Sequence, residues 1–149
     1  MEADANRRKV LVIHGPNLNM LGKRQPDIYG HQTLDKINAK LEVHAGKLGL
    51  RVETFQSNHE GAIVEKIQQA HGAFHGILIN PAAYTHTSIA IRDALVMLDI
   101  PIIEIHLSNI YKRESFRHTS MISDIVTAQV SGLGPNGYIL ALEGLAQMI

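Results

Sequence analysis

Short apolar runs separated by longer segments of helical spacing set the pattern of this chain. Runs rich in Val and Ile stand at 9–13, 50–55, 76–79, 101–105 and 125–130, each too short for a helix and about the length of a strand. Between them, Leu34, Ile37, Leu41 and Leu48 fall on one helical face behind Thr33, a residue type that caps helix N-termini. Ile63, Ile67 and Ala70 make a second stripe, and Ile91, Ala94, Leu95 and Leu98 a third. The apolar segment 138–149 reads as a closing helix.

Strand and helix alternating in this way call for a parallel sheet with helices on both faces, joined by right-handed crossovers. The expected fold is α/β, a flavodoxin-like three-layer sandwich around a five-stranded parallel sheet. One domain over residues 9–149 accommodates it, behind a flexible polar tail at 1–8. With 149 residues and 45% hydrophobic positions, the chain carries a proper core.

Charge narrows the partners. Lys plus Arg is 14 and Asp plus Glu is 14, for a formal net charge of +0, so nothing draws the protein to nucleic acid or an anionic membrane. The uncharged stretches 67–91 and 125–142 are broken by Gly, Pro, Asn, Gln and His, and no membrane span is expected. The chain has no cysteine, which removes disulfides, thiolate metal sites and thiol nucleophiles. A reducing, cytoplasmic location is expected, since the first residues also lack the apolar core of a secretion signal.

Open α/β sheets bind ligands beyond the carboxyl ends of their strands. Those positions are rich in amide, hydroxyl and imidazole groups here: His14 to Asn19, Gln56 to His59, Asn80 to His86 and His106 to Asn109. Any one of them is an ordinary loop former; together on one edge they suit a small polyhydroxylated ligand.

Other signals carry less. Gly132-Leu133-Gly134-Pro135-Asn136-Gly137 fits G-x-G-x-x-G, but a dinucleotide site needs a further strand and an acidic residue about 20 positions on. A tight turn into the last helix is expected instead. A phosphoacceptor receiver would need an acidic residue where His14-Gly15 stands. The histidines show no metal-ligand spacing, no G-x-S-x-G elbow is present, and no lysine stands at the inner end of a strand. Metal and covalent chemistry are disfavoured.

Glu104 and His106 are more telling, because an interior parallel strand is normally apolar throughout. Period two puts both on one face of the fourth strand, where the carboxylate orients the imidazole and favours its cationic form. His106 is thereby a candidate general acid, and a structural Glu–His pair is the competing reading. The loop 22–30 is bounded by glycines and holds Arg24 and Tyr29, like a lid. Forming a tyrosinate at neutral pH costs about 4 kcal/mol, and a guanidinium at about 4 Å in an effective dielectric of about 20 supplies about as much. Arg24 could so make Tyr29 a base; an exposed tyrosine beside an unrelated arginine is the plainer alternative.

Five motifs, in order, resemble those of the type II 3-dehydroquinate dehydratases. They are Gly15-Pro16-Asn17-Leu18-Asn19 with Leu21-Gly22; Arg24-x-Pro26-x-x-Tyr29-Gly30; Thr85-His86-Thr87-Ser88 with Arg92-Asp93-Ala94; Ile103-Glu104-Ile105-His106-x-Ser108-Asn109; and Phe116-Arg117. The resemblance covers nearly the whole chain. It implies cofactor-free and metal-free loss of water from 3-dehydroquinate, through an enolate, to 3-dehydroshikimate in the shikimate or quinate pathway. It further implies Tyr29 as base, Arg24 lowering its pKa, His106 as acid oriented by Glu104, and Asn17 holding a water at the enolate oxygen. Asn80 and the backbone of Leu107 and Ser108 would contact the carboxylate, and His86 and Arg117 the ring hydroxyls, with Arg113 beside the lid. Asp93 would serve a neighbouring subunit, within a trimer that assembles into a homododecamer. Gln25 and Met121 depart from residues frequent in the family. The rival from another class is a non-catalytic flavodoxin-like module that binds a small molecule at the same edge.

Overall fold

The computed structural model describes residues 5–23, 27 and 31–149. Its strands are β1 (Arg8–His14), β2 (Leu50–Gln56), β3 (Gly76–Asn80), β4 (Ile102–His106) and β5 (Ala128–Ser131), all parallel, in the order β2-β1-β3-β4-β5. The helices that cover them are α1 (Leu34–Lys47), α2 (Glu60–Gln69), α3 (Ile89–Val96) and α4 (Asn136–Ala146). This is the expected flavodoxin-like sandwich, and its two layers follow from strand periodicity. Val10, Val12, Leu78, Ile103 and Ile105 pack with Ile37 and Leu41 of α1 and Tyr138 and Leu142 of α4. Leu11, Ile13, Ile77, Ile79 and Ile102 pack with Ile63 and Ile67 of α2 and Ile91 and Leu95 of α3.

Local chemistry sets the element ends. Thr33 Oγ1 accepts the Lys36 N–H at 3.3 Å and Ser88 Oγ the Ile91 N–H at 2.9 Å, each filling a donor that a helix start leaves open. α1 buries Leu34, Ile37, Leu41 and Ala45, while Leu48 lies at its C-cap, half-buried. β4 begins at Ile102, one residue later than expected, because Pro101 has no N–H to give; its carbonyl accepts from Ile77 at 3.0 Å. The fifth strand is shorter than the apolar run 125–130 implies. Ile125 and Val126 pack into the α2/α3 layer, but their N–H groups turn back to the Ile122 carbonyl at 3.0 and 3.2 Å, so that burial is reached in a turn. α4 likewise ends at Ala146, short of the chain end. Among the described residues no helix is long and apolar enough to cross a membrane.

β1 lies between β2 and β3, so the chain leaves it in opposite directions and opens a crevice at the carboxyl ends of β1 and β3. Gly15 makes the crevice close. Its N–H donates to the Asn80 carbonyl at 2.8 Å, and a Cβ there would stand 2.3 Å from the Pro81 carbonyl oxygen. Gly15→Ala is expected to cost about 1–3 kcal/mol as these loops are forced apart, seen as a lower urea midpoint with unchanged slope. An unaltered midpoint would show that the two loops separate freely.

Candidate active site

A cavity opens over this crevice. Asn17, Leu18 and Leu21 line it after β1, Asn80, Ala82 and His86 at and after β3, and His106, Leu107, Ser108, Arg113 and Arg117 at and after β4. The structure thus gathers Asn17, Asn80, His86, His106, Leu107, Ser108, Arg113 and Arg117 from distant parts of the sequence, with Glu104 behind them. Asp93 stands apart, exposed on α3 and outside the lining. Arg24, Gln25 and Tyr29 lie outside the described residues. His14 and Gln56, expected at the ligand edge, instead serve buried or supporting networks.

Glu104 is fully buried and His106 is 5% exposed. His106 Nε2 lies 2.5 Å from Glu104 Oε2, which also accepts from Ser120 Oγ at 2.8 Å, while Glu104 Oε1 accepts from Gln129 Nε2 at 3.0 Å. Ser120 Oγ in turn accepts the Ile122 N–H at 3.2 Å. A carboxylate without water is tolerable only when paired and hydrogen-bonded, and these donors meet that demand while fixing the imidazole ring. Ser120 and Gln129 escaped the sequence reading. Gln129 had a signal in retrospect: the parallel register sets Glu104 beside Gln129 and His106 beside Ser131, polar against polar.

His86 presents its second nitrogen to the cavity chemistry. Nδ1 donates to the Thr119 carbonyl at 2.9 Å. Burial lowers its pKa and the Thr119 bond opposes that, with His106 and the Arg117 guanidinium lowering it further and the Glu104 carboxylate raising it. The ring is therefore neutral near pH 7, with Nε2 left as an acceptor for a ligand hydroxyl. Arg117 Nε pairs with Glu114 Oε2 at 3.0 Å, which holds the Glu114 carboxyl below its usual pKa, and Arg113 Nε lies 4.0 Å from Glu114 Oε1. His118 Nε2 donates to the Arg113 carbonyl at 3.0 Å, closing the loop that carries both guanidinium groups. At position 121 the loop is held through the backbone: the Met121 N–H donates to Thr85 and its carbonyl accepts from Arg92, each at 2.8 Å.

Asn17 sits at φ 69°, a left-handed conformation that asparagine tolerates better than most residues. Its N–H donates to Asn58 Oδ1 at 2.9 Å; Gln56 Nε2 donates to that oxygen and to the Gly15 carbonyl, both at 3.2 Å, and Tyr84 donates to the Asn58 carbonyl at 2.8 Å. At and beyond the end of β4, the carbonyls of His106, Leu107 and Ser108 accept from Gly132 N–H (3.2 Å), Gly134 N–H (2.9 Å) and Ser131 Oγ (3.1 Å). These bonds leave the Leu107 and Ser108 N–H groups uncommitted to the turn. The glycines at φ 87° and 61° form the expected tight turn, and it has this second use.

An open parallel sheet with a buried imidazole–carboxylate pair, two arginines and oriented amides at its switch point defines an α/β protein built for acid–base chemistry on a small polar ligand. The chain belongs to the family described as dehydroquinase class II, which matches residues 8–146. It is 57% identical over 137 residues, 92% of this chain and 87% of the relative, to a 3-dehydroquinate dehydratase of Roseiflexus castenholzii. A catabolic 3-dehydroquinase of Aspergillus oryzae is 55% identical over 139 residues, 93% of this chain and 91% of the relative. The crystal structure of type II dehydroquinase from Propionibacterium acnes superposes with a TM-score of 0.91 at 48% identity, covering 94% of this chain and 97% of that one.

One pH effect follows from His14, which burial pushes down to about 4 against a weaker opposing bond from Asn38. The unfolded chain takes up a proton there near pH 6.5 that the folded chain refuses until about pH 4. Stability is therefore whole above pH 6.5 and falls as pH drops through that window, by about 3 kcal/mol from this group, with His86 acting in the same direction. His14→Gln is expected to flatten the decline in urea midpoint between pH 7 and pH 4 at fixed protein concentration. An equally steep decline in the variant would contradict the assignment.

Proposed function

We infer that this chain is a type II 3-dehydroquinate dehydratase, a hydro-lyase that converts 3-dehydroquinate to 3-dehydroshikimate and water. The observation that carries it is the buried Glu104–His106 pair beneath a polar cavity, in a chain that belongs to the dehydroquinase class II family. No feature of the site favours the non-catalytic binding module.

In our reading, Tyr29, its phenolate stabilised by Arg24, removes the C2 proton, and the electron pair passes into the C3 carbonyl as an enolate. Asn17 holds a water against that oxygen, where charge appears only as the reaction proceeds. The ketone then re-forms, the C1–C2 double bond closes, and the C1–O bond breaks as His106 delivers a proton and water departs. Glu104 keeps the His106 ring aligned. The Asn80 amide and the Leu107 and Ser108 N–H groups receive the carboxylate; neutral His86 and cationic Arg117 take the ring hydroxyls, and Arg113 lies beside the lid. No cofactor or metal takes part. Residues 9–149 act as one catalytic domain, in the shikimate or quinate pathway and in the cytoplasm.

Assembly into a homododecamer completes the reading. Ile89, Asp93, Val96 and Met97 follow one helical stripe along α3 and its cap, and the three apolar members are 61%, 58% and 60% exposed. A carboxylate set in such a stripe fits a subunit contact through which Asp93 reaches a neighbour's site. Sedimentation in dilute solution is expected to give a dodecamer; a stable monomer with full activity would remove Asp93 from the mechanism.

Mixing the protein with 3-dehydroquinate is expected to produce growing ultraviolet absorbance from the conjugated enone, and borohydride added with substrate to leave activity intact, since no imine forms. His106→Ala and Tyr29→Phe are expected to lower kcat by about 10²–10⁴-fold with little change in folding. Near-wild-type turnover in either variant would show its role misassigned, and no absorbance change with the wild type would refute the function.

A further inference from the structure

His14 and Asn80 are register partners at the ends of β1 and β3 and point to the α1/α4 face. Between them and α4 lies a polar chain whose middle is closed to water: His14 and Tyr138 are fully buried and Asn80 is 4% exposed, while Asn38 at its outer end is half-buried. Asn38 Oδ1 lies 2.8 Å from His14 Nε2, His14 Nδ1 lies 3.0 Å from the Tyr138 hydroxyl, and that hydroxyl lies 3.3 Å from Asn80 Nδ2. At the far end Asn80 Oδ1 accepts the Ala82 N–H at 3.0 Å.

These contacts permit one direction of donation. An amide oxygen only accepts, so His14 donates from Nε2 to Asn38 and keeps a lone pair on Nδ1. Tyr138 donates into that lone pair, which leaves its oxygen free to accept from Asn80. With Oδ1 tied to Ala82, the Asn80 amide cannot flip, and one Nδ2 hydrogen goes to Tyr138 while the other remains for the cavity that Asn80 lines. A cationic His14 would reverse the Tyr138 hydroxyl and set its proton against the Asn80 amide; burial keeps the imidazole neutral.

We propose that Tyr138 and His14 are positioning residues for the substrate carboxylate, acting through the Asn80 amide by a buried one-way chain of hydrogen bonds. Neither touches the cavity. The proposal rests on the reading of Asn80 as a carboxylate contact. It assigns to the core of α4 a part in substrate affinity that its distance from the reacting atoms conceals.

The test measures KM and kcat for 3-dehydroquinate in Tyr138→Phe, Asn80→Ala and the double variant. Tyr138→Phe keeps the ring and is expected to raise KM about tenfold, the value of one hydrogen bond to a charged group, with kcat within about twofold, as loss of uniform binding requires. In the Asn80→Ala background the same change is expected to add nothing further to KM. His14→Leu is expected to raise KM as well, and His14→Gln, which retains an acceptor for Tyr138, to restore it to within about twofold of wild type. If Asn80→Ala raises KM while Tyr138→Phe does not, or if the two effects multiply in full, the positioning role is overturned and the carboxylate contact survives. If Asn80→Ala leaves KM unchanged, the contact itself fails and the proposal with it. Should Tyr138→Phe not fold, the His14 pair decides alone: equal KM values in His14→Leu and wild type overturn the proposal.

Discussion

The Glu104 carboxylate governs the architecture of the site. It has no exposed surface, and an ion so placed survives only with its oxygens fully engaged. Its partners arrive from three places: His106 from the same strand, Gln129 from the neighbouring strand and Ser120 from the loop between them. The β4–β5 register, the turn at 120–122 and the orientation of the imidazole are thus held by one group. Loss of any donor would leave a buried charge partly unmet, and the sheet edge and the His106 imidazole would loosen together.

The opposite face of the sheet solves a related problem without charge. There His14, Tyr138, Asn38 and Asn80 satisfy one another inside the α1/α4 layer. The switch point between β1 and β3 stands above both networks, so the cavity receives a charged arrangement from below one face and a neutral one from below the other. That division fits a reaction in which one end of the ligand must exchange protons and the other must only be held.

Much of this was legible in the sequence because period two and period 3.6 report burial directly. The sheet follows from short apolar runs, the helices from their stripes, and the Glu104/His106 pair from a polar alternation that breaks the apolar rule of an interior strand. The ends were less legible: Pro101 and the 122–126 turn are decided by single hydrogen bonds that hydrophobicity does not record. The roles proposed for Asn17, Asn80, His86 and Arg117 came from motif resemblance, and the fold brings these side chains to one cavity. Ser120, Gln129, Asn38 and Tyr138 were not legible, because each matters through a partner far away in the chain, and partners at long range are set by register and layer. His14 was read as a ligand-edge residue and proves to be inward-facing, since the last residue of a strand still obeys its alternation.

The turn 131–134 resembles a phosphate-binding loop in its glycines, yet the Gly132 and Gly134 amides are already bonded to the His106 and Leu107 carbonyls at the end of β4. A loop used in this way is a ruler. Its length sets how far the segment 106–108 stands from the last helix, and a single inserted residue would change that spacing without touching any side chain in the cavity. Homologues and designed variants should therefore tolerate changes of sequence in this turn far more readily than changes of length.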